Sequence, residues 1–334
     1  MLRIIVNTLA ILLIQYTQDS LTTTPPTYKY SKTTADVSYM IPIDAEAARL
    51  ALLVMDLEQM FLSDMGNLKP KPFHYALNNN HWTLVKYIWG LDALFDEQRN
   101  HIGKKVFYGA IVKSKFNKKT IAALRGTETL IEWGEDAEGF LIPHKLSGGR
   151  VEEGFYSIYS SLTVEDVPIL DWLRSNLSED DTVVFSGHSL GSSLCSYLAV
   201  EVAADATIKA GSYLKTIASP KPGDQVFADW CYRTLKSGSV VYNFSRDVVP
   251  DLPPGDDYKH LSCVRVIPWV SNKYVPGGIV ASHMPDTYAY LLDSSCANWS
   301  TIPGFDKIFH AIRGMEVFKY YFDLVLRYLI KKIL

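Results

Sequence analysis

Apolar and polar positions along the chain change period several times, and the changes mark out elements. Residues 44–60 (DAEAARLALLVMDLEQM) place apolar side chains at helical spacing behind an acidic first turn, which predicts a helix. Residues 106–112 (VFYGAIV) and 120–124 (TIAAL) are short apolar runs separated by a polar Lys/Asn turn, which predicts two adjacent strands in a hairpin. Beyond them the pattern alternates. A helix is predicted over 155–173, a strand over 182–186, a helix over 190–202, a strand over 212–217, a helix over 225–235, a strand over 239–244 and a helix over 286–292. Strands alternating with helices of this length predict an α/β fold in which a mostly parallel central sheet carries helices on both faces.

The two ends differ from this middle. Arg3 precedes an apolar run over 4–14, too short for the about 20 residues a membrane span needs and followed by polar residues. That layout predicts a secretory signal over 1–20 and a secreted, extracellular protein. A Thr/Pro-rich linker follows over 21–35, where Pro25 and Pro26 exclude helix. One domain is expected over 36–303. The tail, 304–334, reads as an amphipathic helix in which Glu316, Lys319, Asp323, Arg327 and Lys331 recur every three or four residues as a narrow charged stripe. It either packs on the domain or makes a peripheral contact with a membrane, a lipid droplet or a partner.

Composition narrows the function classes. The chain has 334 residues, 48% hydrophobic and 21% charged, which excludes intrinsic disorder. Its 33 Lys and Arg against 36 Asp and Glu give a net charge of -3, so no basic field exists to attract nucleic acid. A monomer is expected.

Candidate chemistry centres on Gly187-His188-Ser189-Leu190-Gly191, a G-x-S-x-G pattern between a predicted strand and a predicted helix. That context is the one a nucleophile elbow requires, with Ser189 projecting at the carboxyl edge of the sheet. The plainer reading makes Ser189 a helix N-cap. A serine hydroxyl needs a base to take its proton and an acid to orient that base, in the chain order Ser, Asp, His. His283, in a loop before the last predicted helix, is the favoured base over His260, in a charged turn, and His310, in the tail. Asp247 follows a strand end where ligands bind in open α/β sheets, and is favoured over Asp224, which opens a helix. Thr127, at the end of the 120–124 strand, and the N–H of Leu190 are candidate oxyanion donors. Leu130, Ile131 and Trp133, set among Glu128, Glu132, Glu135 and Asp136, suggest a short amphipathic lid that would touch substrate.

In order along the chain, Arg125-Gly126-Thr127, Trp133 with Asp136, Gly154-Phe155 with Tyr159, Gly187 to Gly191, Ser219-Pro220 with Gly223, Asp247 with Val249-Pro250, and His283 resemble the pattern of the fungal-type, or class 3, lipases. The resemblance covers roughly residues 45–292. It implies an α/β-hydrolase fold, a Ser189-His283-Asp247 triad, Thr127 and Leu190 as oxyanion donors, and hydrolysis of acylglycerol esters at a lipid interface with no metal or cofactor. Three positions depart from it. Glu152 stands where the family usually has His before x-G-F, Ser192-Ser193 follow the serine motif where Gly-Ala is usual, and Asp224 stands where Asn is common.

Four cysteines are present. Cys263 and Cys296 bracket His283, and a bridge between them would pin its loop with roughly 3–4 kcal/mol of stabilisation; Cys195 reads as buried core. Asn176, Asn243 and Asn298 open glycosylation sequons, Asn243 within a predicted core strand. The leading expectation is a secreted triacylglycerol or diacylglycerol lipase. A phospholipase A1 or a soluble carboxylic or feruloyl esterase on the same fold is the near alternative, and a non-catalytic lipid-binding relative the distant one.

Overall fold

The computed structural model describes residues 43–63, 77–91, 104–126, 140–268 and 282–295. The expected signal, linker, lid, tail helix, Thr127, Cys296, Asn298 and His310 lie outside them. In chain order the elements are α1 (Ala45–Ser63), β1 (Trp82–Leu91), β2 (Lys105–Ser114), β3 (Thr120–Leu124), β4 (Leu141–Pro143), β5 (Arg150–Glu152), α2 (Glu153–Ser160), β6 (Thr163–Val164), β7 (Val167–Pro168), α3 (Ile169–Asn176), β8 (Thr182–Gly187), α4 (Leu190–Ala204), β9 (Gly211–Ile217), α5 (Gln225–Thr234), β10 (Val240–Phe244), β11 (Val264–Ile267) and α6 (Pro285–Leu292).

Among the described residues nine strands form one sheet in the order β11-β10-β9-β8-β3-β2-β1-β6-β7. β3, β8, β9, β10 and β11 run parallel, whereas β2 pairs antiparallel with both β3 and β1. The α/β class, with a mostly parallel centre covered on both faces, is thus the observed one.

Period-two alternation in the central strands divides the core. Ile121 and Ala123 of β3 and Val184 of β8 face α1, where Leu50, Leu53, Val54 and Leu57 are buried. Ala122, Leu124, Val183 and Phe185 face the opposite way, into a cluster with Leu194, Leu198 and Phe227 from α4 and α5. α6 joins α1 on the first face, packing Tyr288, Ala289 and Leu292 against Ala47, Ala48 and Ala51. Short alanines on α1 let the two helices approach closely. The start of α1 is fixed by Asp44, whose Oδ1 accepts the Ala47 N–H at 2.9 Å while the same carboxylate pairs with Lys215.

One predicted element is corrected. The expected 155–173 helix is two helices, α2 and α3, split by the tight β6-β7 hairpin. Glu165 and Asp166 adopt φ of 51° and 64° at its turn, and Pro168 cannot supply the N–H a continuous helix needs. Strands β1 and β11 carry no matching expectation from the sequence. β1 has Lys86 and Thr83 among its apolar residues and pairs through two register irregularities, which blurs its period.

Candidate active site

Ser189 and Asp247 stand where parallel strands end. β8 runs into Gly187-His188-Ser189 and α4 leaves at once, so Ser189 sits between strand and helix with φ 58° and ψ -128°. Only small residues permit that turn: a Cβ on Gly187 would lie 2.3 Å from the Gly191 carbonyl oxygen, and one on Gly191 would lie 2.4 Å from that of Leu124. The two glycines let α4 close onto β8 and β3. The N-cap reading of Ser189 does not hold, since its side chain makes no capping bond to α4.

The Ser189 hydroxyl is instead 2.9 Å from Nε2 of His283, and Nδ1 of His283 is 2.8 Å from Oδ2 of Asp247. The structure therefore brings together three side chains spread over 94 positions of the chain. Asp247 follows β10 and is buried. Its burial acts to raise the carboxyl pKa, but the charge and hydrogen bond of His283, the Tyr288 hydroxyl and the Val249 N–H outweigh it and hold the group below its ordinary value. Tyr288 donates to Oδ2 at 2.8 Å, the Val249 N–H to Oδ1 at 3.0 Å, and the Tyr288 oxygen in turn accepts the Phe244 N–H. Asp247 is thus an ionised acceptor fixed on both oxygens, suited to orient an imidazole by its Nδ1–H.

The other candidates serve elsewhere. Asp224 caps α5, its Oδ1 accepting the Phe227 N–H, and pairs with Arg150. His260 is half-buried, and burial followed by the charge of Lys221 pushes its pKa down. No hydrogen bond among the described residues joins it to Ser189 or Asp247. Leu190 is buried as the first residue of α4, where a helix N–H has no intrahelical acceptor and points along the positive end of the dipole. Thr127 and the lid residues Leu130, Ile131 and Trp133 fall outside the described residues. The residues leading to Thr127 are held firmly: Arg125, buried, donates from Nε to the Phe107 carbonyl and from Nη1 to that of Gly126, and its guanidinium lies 3.4 Å from the Phe61 ring centre.

Several neighbours escaped the sequence reading. Glu58, on α1, reaches His188 with Oε1 2.6 Å from Nδ1. Nε2 of His188 is 2.6 Å from the His283 carbonyl oxygen. Tyr288 was legible only as a helix residue. No local spacing could have found these pairings, because they join segments 130, 95 and 41 residues apart. Glu152, at the position where His is usual, caps α2 by accepting the Phe155 N–H at 2.6 Å. Among the described residues Cys195, Cys231 and Cys263 form no disulfide with one another, and Cys296, the expected partner of Cys263, lies outside them. Asn243 is buried, its Oδ1 taken by the Ser219 N–H. Among the described residues no group of His, Cys, Asp and Glu is arranged to hold a metal ion.

Comparison with known proteins finds partial matches to this chain. Residues 121–256 match the family model of the class 3 lipases. The chain is 23% identical over 228 residues to phospholipase A1-II 3 of Oryza sativa subsp. japonica, covering 59% of this chain and 54% of that protein. It is 24% identical over 199 residues to the protein of the same name in subspecies indica. The match spans about half the length of these curated relatives. Solved structures that resemble it include Lip2 lipase from Yarrowia lipolytica, at 18% identity and TM-score 0.48 over 68% of this chain and 81% of that one. Another is a lipase from Rhizopus microsporus var. chinensis, at 18% identity and TM-score 0.45 over 64% and 71%. The match to the class 3 lipase family model thus falls on residues 121–256, the stretch that carries the serine elbow and Asp247.

Proposed function

We propose that this protein is a serine hydrolase that cleaves carboxylic esters of acyl lipids. The observation that carries the reading is the unbroken hydrogen-bond chain from Ser189 Oγ through His283 to Asp247. In the first half-reaction His283 Nε2 takes the Ser189 proton as Oγ bonds to the ester carbonyl carbon. The carbonyl π electrons move to oxygen, where the Leu190 N–H and the expected Thr127 donor stabilise the charge. The tetrahedral intermediate then collapses, the C–O bond to the alcohol breaks, and His283 returns its proton to the leaving oxygen. Water repeats the sequence on the acyl-enzyme and frees the fatty acid. Asp247 keeps the imidazole in the Nδ1–H tautomer and stabilises its cation throughout.

A tri- or diacylglycerol is the first substrate reading, following the family. Phospholipase A1 activity is the second, favoured by the name of the two rice relatives. The expected lid over Leu130, Ile131 and Trp133 is the ground for expecting a response to a lipid interface.

The deciding experiment is steady-state hydrolysis of p-nitrophenyl esters from acetate to palmitate, with and without micelles, for the unmutated chain and Ser189→Ala. Turnover should rise with acyl length, increase above the micelle threshold, and fall by about 10⁴-fold or more in the variant. Turnover confined to short soluble esters would move the reading to an esterase, and turnover indifferent to Ser189 would end it. Release of the acyl group from position one of phosphatidylcholine, set beside triolein, separates the two lipid substrates.

A further inference from the structure

Glu58 lies on α1, is buried, and stands 130 residues from the histidine it touches. Its Oε1 is 2.6 Å from His188 Nδ1 and also accepts the Gly126 N–H at 3.2 Å. The far nitrogen of that imidazole is 2.6 Å from the backbone carbonyl oxygen of His283, and the two imidazole rings pack at 4.5 Å between centres. A carbonyl oxygen only accepts, so Nε2 of His188 carries the hydrogen. The proton count at the other nitrogen then allows two arrangements. Either Nδ1 also carries a proton and Glu58 is a carboxylate, or Glu58 is protonated and donates to a bare Nδ1. Both leave the pair without net charge and both fix the Nε2–H tautomer.

We infer that Glu58 is a positioning residue for the base: through His188 it holds the backbone of His283, and through Gly126 it holds the strand end that leads to Thr127. This rests on the reading that Ser189, His283 and Asp247 carry the reaction. His188 cannot compete as a base for Ser189, because its Nε2–H is committed to the His283 carbonyl and its Nδ1 to Glu58. What the pair supplies is placement. The His283 imidazole is hydrogen-bonded at both of its own nitrogens, yet the ring can satisfy those bonds in the right orientation only if its main chain stays put. Removing the Glu58 carboxyl frees His188 to adopt the other tautomer, in which a bare Nε2 faces the carbonyl and repels it. A charged His188 without its carboxylate would instead set a second cation against the imidazolium that His283 must become.

The test is a double-mutant cycle read as kcat and KM on a soluble p-nitrophenyl ester, normalised to sites titrated with a fluorophosphonate. Glu58→Ala should lower kcat per titrated site by about 10–100-fold with KM changed less than about twofold, as expected for misplacement of a catalytic group rather than loss of a binding contact. His188→Gln keeps a donor near the His283 carbonyl and has no tautomer to set, so in that background Glu58→Ala should cost less than about threefold. Equal costs in the two backgrounds, or a kcat within twofold of the unmutated chain, would overturn the inference. Where Glu58→Ala gives no titratable protein, Glu58→Gln takes its place, with about a 3–10-fold loss of kcat expected and an unchanged kcat overturning the role. Absence of Ser189-dependent labelling in the unmutated chain would overturn the underlying reading as well. Labelling that depends on Ser189 but ignores Glu58 would overturn the positioning role alone.

Discussion

Ser189 holds φ 58° and ψ -128°, a region that a residue with a Cβ occupies only under constraint, at a cost of roughly 1–3 kcal/mol. The constraint comes from Gly187 and Gly191, which bring strand and helix so close that the residue between them has no other course. Ser189→Gly should therefore abolish ester turnover while stabilising the fold by about 1 kcal/mol, read as a rise in the denaturant midpoint with an unchanged m-value. A fall in the midpoint would mean that the bond to His283 outweighs the strain. At this scale the sequence was most legible for residues whose neighbours in the chain declare them. Ser189 sits in a strand-turn-helix context, and Asp247 and His283 stand in loops after a strand and before a helix; these three lie in hydrogen-bond contact. Glu58 was illegible because it looks like any polar residue on an amphipathic helix, and only the folded sheet brings it to His188.

Helix α2 shows how one departure from a family pattern is absorbed by an element. Glu152 is buried and caps α2, and burial drives its pKa up to about 7, with the Phe155 and Gly154 N–H groups opposing and the charge of Glu153 adding to the rise. A carboxyl raised in the folded state binds more protons folded than unfolded. Its contribution to stability is full below a pH of about 4.5 and is lost as pH rises through about 7. Glu152→Gln keeps an acceptor for the cap and removes the ionisation. The variant should gain about 2–3 kcal/mol relative to the unmutated chain on going from pH 4.5 to pH 8, as measured by urea denaturation at the two values. No pH dependence in that difference would mean that Glu152 ionises without penalty. The same region supplied the one misjudged element. Residues 155–173 have apolar spacing that suits a helix, but Glu165 and Asp166 prefer a turn and Pro168 stops the backbone ladder, so local chemistry broke what periodicity suggested.

Taken whole, the molecule was legible where period and burial agree. The parallel strands β3, β8 and β10 are largely apolar, almost wholly buried runs because both faces are covered, and such runs between helices stand out. β1, with mixed polarity, and the four-residue β11, with exposed Arg265 and Val266, lie outside that central block and carry little signal. Sheet order is beyond sequence periodicity altogether, since it depends on which crossovers pack. That order has a kinetic consequence. Each contact of the site joins segments far apart in the chain: Glu58 to His188 spans 130 residues, Ser189 to His283 94, and Asp247 to His283 36. Closing such long loops costs entropy before any contact returns it, so these pairings belong to the late part of folding. When denatured protein is diluted from urea, fluorophosphonate reactivity at Ser189 should return in the slowest phase, behind the far-ultraviolet circular dichroism of the helices. Simultaneous recovery would mean that the sheet edge forms with its first strands. Under the proposed function, a chain that folds this way gains its reactive serine only once the whole sheet stands, so a half-made molecule would be spared the power to attack the lipids around it.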